Sequence, residues 1–368
     1  MVFIGQASNY RWGRSWWQVL VRGRAKDAER LTSALARRYK SQPERVRLYH
    51  SGRSALTAAI VATVPKGAKV LIPGLTCIAV VRAVRAAGCR PEFCDIDPQN
   101  LQYDLTLLSN RIKKDPEIRG VIVQNTLGIT LDMAKLEQIL KGSKVAVIED
   151  LAHSAGQVYP DRREVGTVGD ATILSFGKGK AIDTISGGAL ILRNETLTMP
   201  NRPLRLPRRA DQWRDRWYPV LGRQIRFWMH LKLGKIVTAV LLKLHWIQRS
   251  ADAELDLDVR LPNWQARLAL PQIERLTQKR NRDYRLVERR AQLLEELRKQ
   301  GFYLNEIWYD TPVSPERYKK EAGFPEKECP NTVRVSEQII NIPLWYSEKK
   351  LQPVYEIIKK YEATSDES

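Results

Sequence analysis

The amino-acid sequence predicts an α/β protein with a mostly parallel central sheet and helices on both faces. Up to about residue 195, short apolar runs of strand length alternate with segments of helical periodicity. Connections of this length are crossovers, which join parallel strands. Several strands end in polar residues, and open α/β sheets bind their ligands at the carboxyl ends of the strands. The fold class therefore also predicts where the functional site lies.

Composition and charge narrow the class of protein. The chain has 368 residues, of which 43% are hydrophobic and 28% charged, proportions typical of a soluble globular protein with a large core. Lysine and arginine total 61 against 41 acidic residues, a net charge of +20. This excess indicates an anionic partner: nucleic acid, an anionic membrane or a phosphorylated substrate. Residues 201–250 hold twelve basic and two acidic residues, so half of the excess lies there.

Cysteine usage and the N-terminal residues favour a cytoplasmic protein. Cys77, Cys89, Cys94 and Cys329 form no close CxxC pair and do not cluster with the four histidines. We therefore expect reduced thiols and no metal site. Residues 1–6 lack the basic and apolar segments of a signal peptide, so we expect no export.

The elements of the first 140 residues follow from periodicity. Residues 25–39 predict an N-terminal helix, with alternating charges, that packs on the main domain. A second helix begins near Gly52 and runs to about Val64. The alternation that follows supports a parallel sheet, with strands predicted at 69–73, 91–96 and 120–124 and helices at 76–87, 104–113 and 131–140.

The start of the second helix is a candidate phosphate site. Gly52, Arg53 and Ser54 place small hydrogen-bonding residues and a cation ahead of an apolar helix. A helix N-terminus offers free backbone N–H groups and the positive end of the helix dipole, and both bind phosphate. On the pattern alone, a helix cap without any ligand is the alternative.

Residues 144–193 carry the candidate catalytic groups. The first predicted strand of this stretch ends in Glu149 and Asp150, and His153 follows one helical turn later. Ser175 lies at the end of the next strand, before a Gly/Lys loop that contains Lys180. The pair of glycines at 187–188 then leads into a further apolar strand over 189–193.

One chemistry uses these groups together. A lysine amine can hold an aldehyde cofactor as a Schiff base, and pyridoxal 5'-phosphate becomes an electron sink when a carboxylate keeps its ring nitrogen protonated. Lys180 is the candidate amine and Asp150 the candidate carboxylate. His153 can hydrogen-bond to the ring or stack against it, and Ser175 can donate to the phosphate.

At these residues the chain resembles the DegT/DnrJ/EryC1/StrS family of pyridoxal-phosphate enzymes, which are mostly sugar aminotransferases. The family order of Glu-Asp, small residues and then Gln or His resembles residues 149–153. Its order of Gly-Asp, Ser-Phe-x-x-x-Lys and Gly-Gly is similar to residues 169–188. The resemblance implies a fold-type I transferase with a smaller C-terminal α+β domain. By the family spacing, Lys180 is the Schiff-base lysine and Lys178 its rival.

Several positions depart from the family pattern. Arg53 replaces the usual Thr or Ser of the phosphate cradle, and Trp345 stands where the family often has His. Cys77 occupies the position of an aromatic residue that stacks on the cofactor ring, so His153 is the candidate to replace it, and a packed helix-start cysteine is the alternative. Asn263 matches a family Asn that reaches the neighbouring subunit's phosphate, with a helix N-cap as the alternative.

Residues 196–262 depart most from the family. A basic, proline-broken segment at 202–209 precedes tryptophans interleaved with Arg and Lys, and residues 225–247 are apolar on most of a helical circumference. The longest hydrophobic piece is too short to span a bilayer. Two interpretations stay open: a helical pair that packs on the main domain or at a dimer interface, and a helix in the interface of an anionic membrane. Nucleic-acid binding lacks a recognisable signature.

The C-terminal residues predict a smaller domain. Residues 264–299 have the periodicity of a long amphipathic helix, either continuous or broken once. Strands at 331–335 and 339–344 and a helix at 347–361 follow, before a polar tail. We divide the chain into a large cofactor-binding domain with an N-terminal helix (1–195), a basic Trp-rich helical insert (196–262) and a small C-terminal domain that begins with a long helix (263–368).

The resemblance implies amino transfer from a donor, expected to be glutamate, to a keto sugar on a nucleotide carrier, for cell-surface polysaccharide or related glycan synthesis. It also implies a homodimer with the active site at the subunit interface. Sugar dehydration is an alternative within the family, but those members replace the lysine with His. A further alternative is a non-catalytic or differently catalytic protein of this fold that acts at the inner face of a membrane through residues 201–250.

Overall fold

A computed structural model of the chain describes residues 2–3, 12–231, 233–248, 255–277, 282–304, 309–343 and 348–362. Its β-strands lie in two regions, one before residue 193 and one after residue 281. In chain order they are β1 (Val2–Phe3), β2 (Val46–Tyr49), β3 (Lys69–Pro73), β4 (Thr76–Cys77), β5 (Arg90–Cys94), β6 (Ile118–Val123), β7 (Ala146–Asp150), β8 (Ala171–Ser175), β9 (Gly188–Leu192), β10 (Arg282–Leu286), β11 (Tyr303–Leu304), β12 (Val313–Ser314) and β13 (Ile339–Pro343).

Seven of these strands form the central sheet, in the order β2-β9-β8-β7-β6-β3-β5. Strands β8, β7, β6, β3 and β5 pair in parallel, whereas β9 is antiparallel to both of its neighbours. The predicted, mostly parallel sheet is therefore confirmed. Because the parallel strands run in one direction, their carboxyl ends meet at a single edge, which we call the site edge.

Helices cover both faces of this sheet, as predicted. They are α1 (Trp12–Leu20), α2 (Ala25–Arg38), α3 (Gly52–Thr63), α4 (Ile78–Ala86), α5 (Leu105–Lys114), α6 (Met133–Leu140), α7 (Arg209–His230), α8 (Gly234–Lys243), α9 (Asn263–Glu274), α10 (Arg290–Lys299), α11 (Lys319–Ala322), α12 (Pro330–Gln338) and α13 (Glu348–Lys359).

Strand β3 shows how the sheet divides the core. Leu71 packs in the cluster that holds residues of α2, α5, α6 and α9, whereas Val70 and Ile72 pack with α3 and α4. Successive strand residues point to opposite faces, so one strand supplies both clusters. Helix α9 thus packs in the core of the large sheet, although it lies in the third part of the predicted domain division, and that division stays a prediction.

The helix predicted over 264–299 is broken in its middle, as one of the two alternatives allowed, but the strand inside the break was not predicted. Helix α9 ends at Glu274, and the strand β10 precedes α10. Strand β10 pairs with β13 in antiparallel register from Arg282 opposite Pro343 to Leu286 opposite Ile339. Pairing with a strand that lies some 50 residues later in the sequence overrides the local helical pattern, which periodicity alone cannot reveal.

The predicted strand at 331–335 is also wrong, because these residues belong to α12. Pro330 occupies the first turn, where a missing N–H costs nothing. The next two backbone N–H groups, of Asn331 and Thr332, donate to the carboxylate of Asp95 at 3.0 and 2.8 Å. A distant side chain therefore caps this helix. The strand predicted at 339–344 and the helix predicted at 347–361 are confirmed as β13 and α13, whereas Trp345 and residues 364–368 lie outside the described residues.

The basic segment forms two helices, α7 and α8, that pack against the large domain. Tyr218, Ile225, Leu241 and Ile247 form a buried cluster with Ile185, which belongs to the loop after Lys180. One side of the insert therefore rests on the lysine loop. Among the described helices, none combines the length and apolar character that crossing a lipid bilayer requires.

Candidate active site

Asp150 ends β7 at the site edge and is buried, with 4% of its surface exposed. The backbone N–H of Ala152 donates to its Oδ1 at 2.9 Å. Burial raises the pKa of the Asp150 carboxyl to about 6, while the bond from Ala152 and the charge of Lys180 oppose the shift. Because the Lys180 charge acts on this carboxyl, the structure brings the two predicted residues together.

The adjacent carboxylate, Glu149, points to the other face and has a different environment. Its oxygens accept hydrogen bonds from the Tyr159 hydroxyl at 2.6 Å and from the Val168 backbone N–H at 2.8 Å. The backbone N–H groups of Gly166 and Gly169 also donate to it. Four donors satisfy this fully buried side chain, so Glu149 holds the 166–169 loop to the strand.

The two candidate lysines point in different directions. The ammonium of Lys178 donates to the backbone carbonyl of Gln248 at 2.7 Å and lies 3.8 Å from the ring centroid of Tyr218. These contacts direct Lys178 toward the helical insert. Lys180 instead acts electrostatically on both Asp150 and Cys77. The geometry therefore favours Lys180 as the lysine of the site.

The phosphate cradle is compact because two backbones approach closely. A Cβ at Gly52 would lie 2.8 Å from the Cβ of Ser175, and a Cβ at Gly188 would lie 2.7 Å from the Cα of Gly52. Only glycine permits this approach. The end of β8 and the start of β9 thus meet the N-terminus of α3. The predicted contacts of Gly52 and Ser175 with a phosphate are stereochemically compatible with this arrangement.

Ser54 supports the cradle from behind. Its hydroxyl is hydrogen-bonded to that of Ser51 at 2.7 Å and donates to the backbone carbonyl of Asp256 at 2.7 Å. Its backbone N–H donates to the Ser51 hydroxyl at 3.0 Å, which caps α3. Arg53 differs, because its charge acts on the thiol of Cys77. Arg53 therefore lies on the same side of the helix terminus as the predicted cofactor pocket.

Cys77 is half-buried at the start of α4. Burial raises the pKa of its thiol, whereas a backbone hydrogen bond and the charges of Lys180 and Arg53 act in the opposite direction. The predicted cofactor-facing position of Cys77 is therefore next to both cations. Its small side chain cannot provide the contact area of an aromatic ring.

His153 belongs to a buried polar chain that sequence reasoning missed. Its Nδ1 accepts a bond from the Leu127 backbone N–H at 3.3 Å, and its Nε2 lies 3.4 Å from the hydroxyl of Tyr309. The two rings stack, with centroids 5.9 Å apart and an interplanar angle of 16°. Gln124 donates to the Tyr309 hydroxyl at 3.0 Å, and Thr76 donates to Gln124 at 2.6 Å.

Gln124 could have been identified from the sequence, because it is a polar residue that directly follows the strand β6. No comparable signal identifies Tyr309. It lies beyond β11 in the C-terminal third of the chain, and only tertiary packing brings it to His153. The C-terminal region therefore contributes one wall of the candidate site.

Asn263 is the first residue of α9, and Pro262 occupies the capping position. The N-cap alternative for Asn263 is therefore wrong. Its side-chain oxygen accepts a long bond from Arg260 at 3.5 Å, and its Cβ packs close to Gly23. A contact with a neighbouring subunit's phosphate stays a prediction.

A second polar cluster ties the insert to the cradle. His50 Nε2 lies 3.0 Å from the Asp215 carboxylate of α7 and 2.9 Å from the Ser186 hydroxyl. Ser186 also donates to Asp215, and Gln265 donates to Ser186 at 2.8 Å. These residues are not a nucleophilic triad, because a triad uses both ring nitrogens of the histidine and both contacts here involve Nε2. They anchor α7 beside the loop that carries the phosphate cradle.

The residues present fit a phosphorylated pyridine aldehyde. A buried carboxylate, a nearby amine and a helix N-terminus that tolerates only glycine lie at one edge of the sheet. The described His, Cys, Asp and Glu residues form no group of three arranged to bind a metal ion.

Known proteins share this sequence pattern and this fold. Residues 44–360 match the DegT/DnrJ/EryC1/StrS aminotransferase family. GDP-perosamine synthase from Caulobacter vibrioides is 30% identical over 48% of this chain and 47% of its own length. The UDP-4-amino-4,6-dideoxy-N-acetyl-beta-L-altrosamine transaminase of Campylobacter jejuni serotype O:23/36 is 30% identical over 42% of this chain and 41% of its length. Each alignment thus spans less than half of the relative. Aminotransferase TlmJ from Streptoalloteichus hindustanus superposes with a TM-score of 0.67 at 18% identity, covering 98% of both chains.

Proposed function

The chain belongs to the DegT/DnrJ/EryC1/StrS aminotransferase family, and from this premise we propose that it is a pyridoxal 5'-phosphate-dependent aminotransferase. In this proposal it moves an amino group, from a donor such as glutamate, to a keto sugar on a nucleotide carrier for glycan synthesis. The observation that carries the proposal is the placement of Asp150 within the electrostatic reach of Lys180 at the site edge.

Each group has a role that its surroundings support. The bound cofactor supplies an electron sink for cleavage of a bond at the amino-bearing carbon. Asp150 would hold the ring nitrogen in its protonated form, since a buried carboxylate without water pairs strongly with a cation. Lys180 would attach the cofactor and then carry the proton between the two carbon atoms. Gly52, Arg53 and Ser175 would bind the phosphate, with Ser54 holding the helix terminus in place.

The ring faces of the cofactor would lie between Cys77 and His153. The stacked pair of His153 and Tyr309 provides an extended aromatic surface. On the other face of the cofactor ring, Cys77 would contribute only its thiol. In this proposal the paired rings would provide the stacking that the family obtains from its aromatic residue at the position of Cys77.

The substrate class follows from charge and from the relatives. Two relatives are named for reactions of GDP- and UDP-linked sugars. A nucleotide diphosphate carries several negative charges, which suits a chain of net charge +20. The proposal includes a homodimer with the active site at the subunit interface, to which Asn263 would contribute. A cytoplasmic location is supported by the four free cysteines.

Two alternatives are less well supported. Family members that dehydrate sugars replace the lysine with His, and this chain has Lys180 near Asp150. A non-catalytic protein of the same fold has no reason to keep a buried carboxylate at a raised pKa near an amine, because taking a charged group out of water costs stability.

An absorption spectrum of the purified protein with pyridoxal phosphate tests the proposal. We expect a visible band from the lysine-linked cofactor that decays when glutamate is added. Lys180→Ala should abolish this band, whereas Lys178→Ala is the matched control on the same loop and should keep it. Loss of the band in Lys178→Ala alone, or an unchanged spectrum in both variants, would contradict the assignment.

A further inference from the structure

Exposed apolar side chains concentrate on one surface of the molecule. Among the described residues, thirteen large hydrophobic side chains are exposed, and eleven of them lie on α1, α7, α8 or the residues that immediately follow these helices. We call this surface the apolar ridge. The most exposed members are Leu20 at 72%, Ile236 at 62% and Phe227 at 58%. A concentration of exposed apolar side chains on neighbouring helices is typical of an interaction site.

Helix α8 shows that the ridge is not a poorly packed core. Ile236, Val240 and Leu244 recur every four residues and form one exposed stripe. Leu241 lies on the other side and is buried in the cluster that contains Tyr218. The helix thus presents apolar side chains to two different surroundings. Packing on the large domain explains only the inner one.

Tryptophans join the elements of the ridge into one face. The ring of Trp16 on α1 lies 6.2 Å from that of Trp217 on α7, and Trp213 lies 6.1 Å from Trp217. Trp213 also lies 5.9 Å from Trp246, just beyond α8. Three of these four rings are almost half exposed. Indole rings combine an apolar body with a polar N–H and therefore favour the boundary between water and lipid.

Charge distinguishes between the partners that an apolar ridge can have. Residues 201–250 contribute a net charge of +10, and Lys235 and Lys243 are exposed on the stripe of α8 next to Ile236 and Val240. A second copy of the chain would place this surface against itself, because the common twofold interface is isologous. The exposed Lys235 and Lys243 of each copy would then lie against the same cationic surface of the other copy, with like charges repelling. A nucleic acid would satisfy the charges but would leave the apolar stripe without a partner.

We propose that the apolar ridge binds the headgroup region of an anionic lipid bilayer, with α8 lying in the plane of the membrane. The apolar stripe enters the interface and the flanking lysines contact anionic headgroups, which is the arrangement of interfacial amphipathic helices. This inference does not depend on the proposed enzymatic function, because none of the ridge residues belongs to the candidate active site.

Co-sedimentation of the full chain with vesicles tests the inference. We expect binding to vesicles that contain phosphatidylglycerol in phosphatidylcholine and at least tenfold weaker binding to phosphatidylcholine alone. The double variant Ile236→Glu/Val240→Glu should weaken binding to the anionic vesicles at least tenfold. Val61→Glu is the matched control, because Val61 is 52% exposed on α3, outside the ridge. Lys235→Glu/Lys243→Glu should also weaken binding, with Lys141→Glu as its control.

Several results would overturn the inference. Equal binding to neutral and anionic vesicles, or no binding to either, would exclude an anionic-lipid surface. A second copy would be identified as the partner if the parent did not bind vesicles and light scattering showed a lower molar mass for Ile236→Glu/Val240→Glu than for the parent. Nucleic acid would be identified as the partner by two results together. Duplex DNA at matched charge would displace the protein from vesicles, and the double apolar variant would bind DNA and vesicles as the parent does. An unchanged far-UV circular dichroism spectrum in each variant confirms that the variant is folded.

Discussion

The site edge of the sheet buries polar side chains, whereas the helical insert over 201–248 exposes apolar ones. At the site edge, Gln124, Glu149 and Asp150 are buried polar groups. On the insert, large apolar side chains such as Ile236 remain exposed. The difference indicates two tasks. The site edge is suited to binding a small polar molecule. The inner side of the insert packs on the lysine loop, and its outer side is suited to binding an outside partner.

The two regions meet around the lysine loop. Lys178 contacts Tyr218 of the insert, and Ile185 packs in the same cluster. Asp215 reaches Ser186 at the other end of the loop. We therefore expect graded effects: large ones from the site edge, small ones from the inner side of the insert, and none on activity from the apolar ridge.

The largest effect is expected at Asp150. Asp150→Asn keeps an acceptor for the Ala152 N–H but removes the charge that would hold the ring nitrogen protonated. Loss of a preorganised electrostatic group lowers kcat by about 10²–10³-fold. Rates of the half-reaction with glutamate, followed by absorption, measure this loss. A change of less than threefold would contradict the assigned role.

The same variant should behave differently in the protein without cofactor. The pKa of Asp150 is raised from 3.8 to about 6 in the folded state, so the folded protein binds this proton more tightly than the unfolded chain. The favourable contribution is complete below about pH 4 and is lost as the pH rises to 6, a total of about 3 kcal/mol. Urea unfolding should therefore show that Asp150→Asn gains stability relative to the parent as pH rises from 4 to 7. A difference that does not change with pH would disprove this linkage.

Glu149→Gln should destabilise the protein whether or not the cofactor is bound, whereas Asp150→Asn gains stability relative to the parent as the pH rises. An amide would place N–H donors against the N–H groups of the 166–169 loop and leave some of them unpaired. Unpaired buried groups cost about 1–3 kcal/mol each, so we expect a loss of about 3 kcal/mol in the free energy of unfolding. Denaturant titration measures it. If the variant were as stable as the parent, the structural role of Glu149 would be refuted.

The central sheet and the meeting of the candidate site residues at one edge were predictable because their signals are local. Asp150 and Ser175 each end a short apolar strand, Lys180 lies in the loop after the second one, and a parallel sheet must bring such strand ends together. The helix start at Gly52 was visible in the sequence, whereas its close approach to Ser175 and Gly188 was not. The choice between Lys178 and Lys180 was not decided by the residues themselves, since it depends on the contact of Lys178 with a residue forty positions away, Tyr218.

The rest could not be predicted because it depends on distant partners. Strand β10 exists through pairing with β13, and α12 is capped by Asp95. Tyr309 reaches His153 across 156 residues of sequence. The exposed stripe of α8 and its buried side are both apolar, so the hydrophobic pattern alone did not show which residues were exposed.

A smaller effect is expected from Tyr309→Phe, which keeps the ring that stacks on His153 and removes the hydroxyl. Gln124 then loses its acceptor and His153 its partner at Nε2. We expect kcat/KM to fall about tenfold, equivalent to the cost of about one buried hydrogen bond. Tyr103→Phe is the control, because the Tyr103 hydroxyl donates to the backbone carbonyls of Leu71 and Ile122 in the sheet interior. It should lower stability without changing kcat/KM, and equal kinetic losses in both variants would argue against a positioning role.

The smallest effect is expected from Asp215→Asn on the inner side of the insert. An amide oxygen still accepts from Ser186, so only the charge beside His50 is lost, which for a partly exposed pair is about 0.5–1 kcal/mol. The rate with glutamate should therefore fall by about threefold. Asp211→Asn is the matched control on α7, because Asp211 pairs with Arg214 of the same helix and touches neither His50 nor Ser186 in the described contacts. It should leave the rate unchanged. If Asp215→Asn were as damaging as Asp150→Asn, the insert would belong to the catalytic machinery, and the division between the two regions would have to be abandoned.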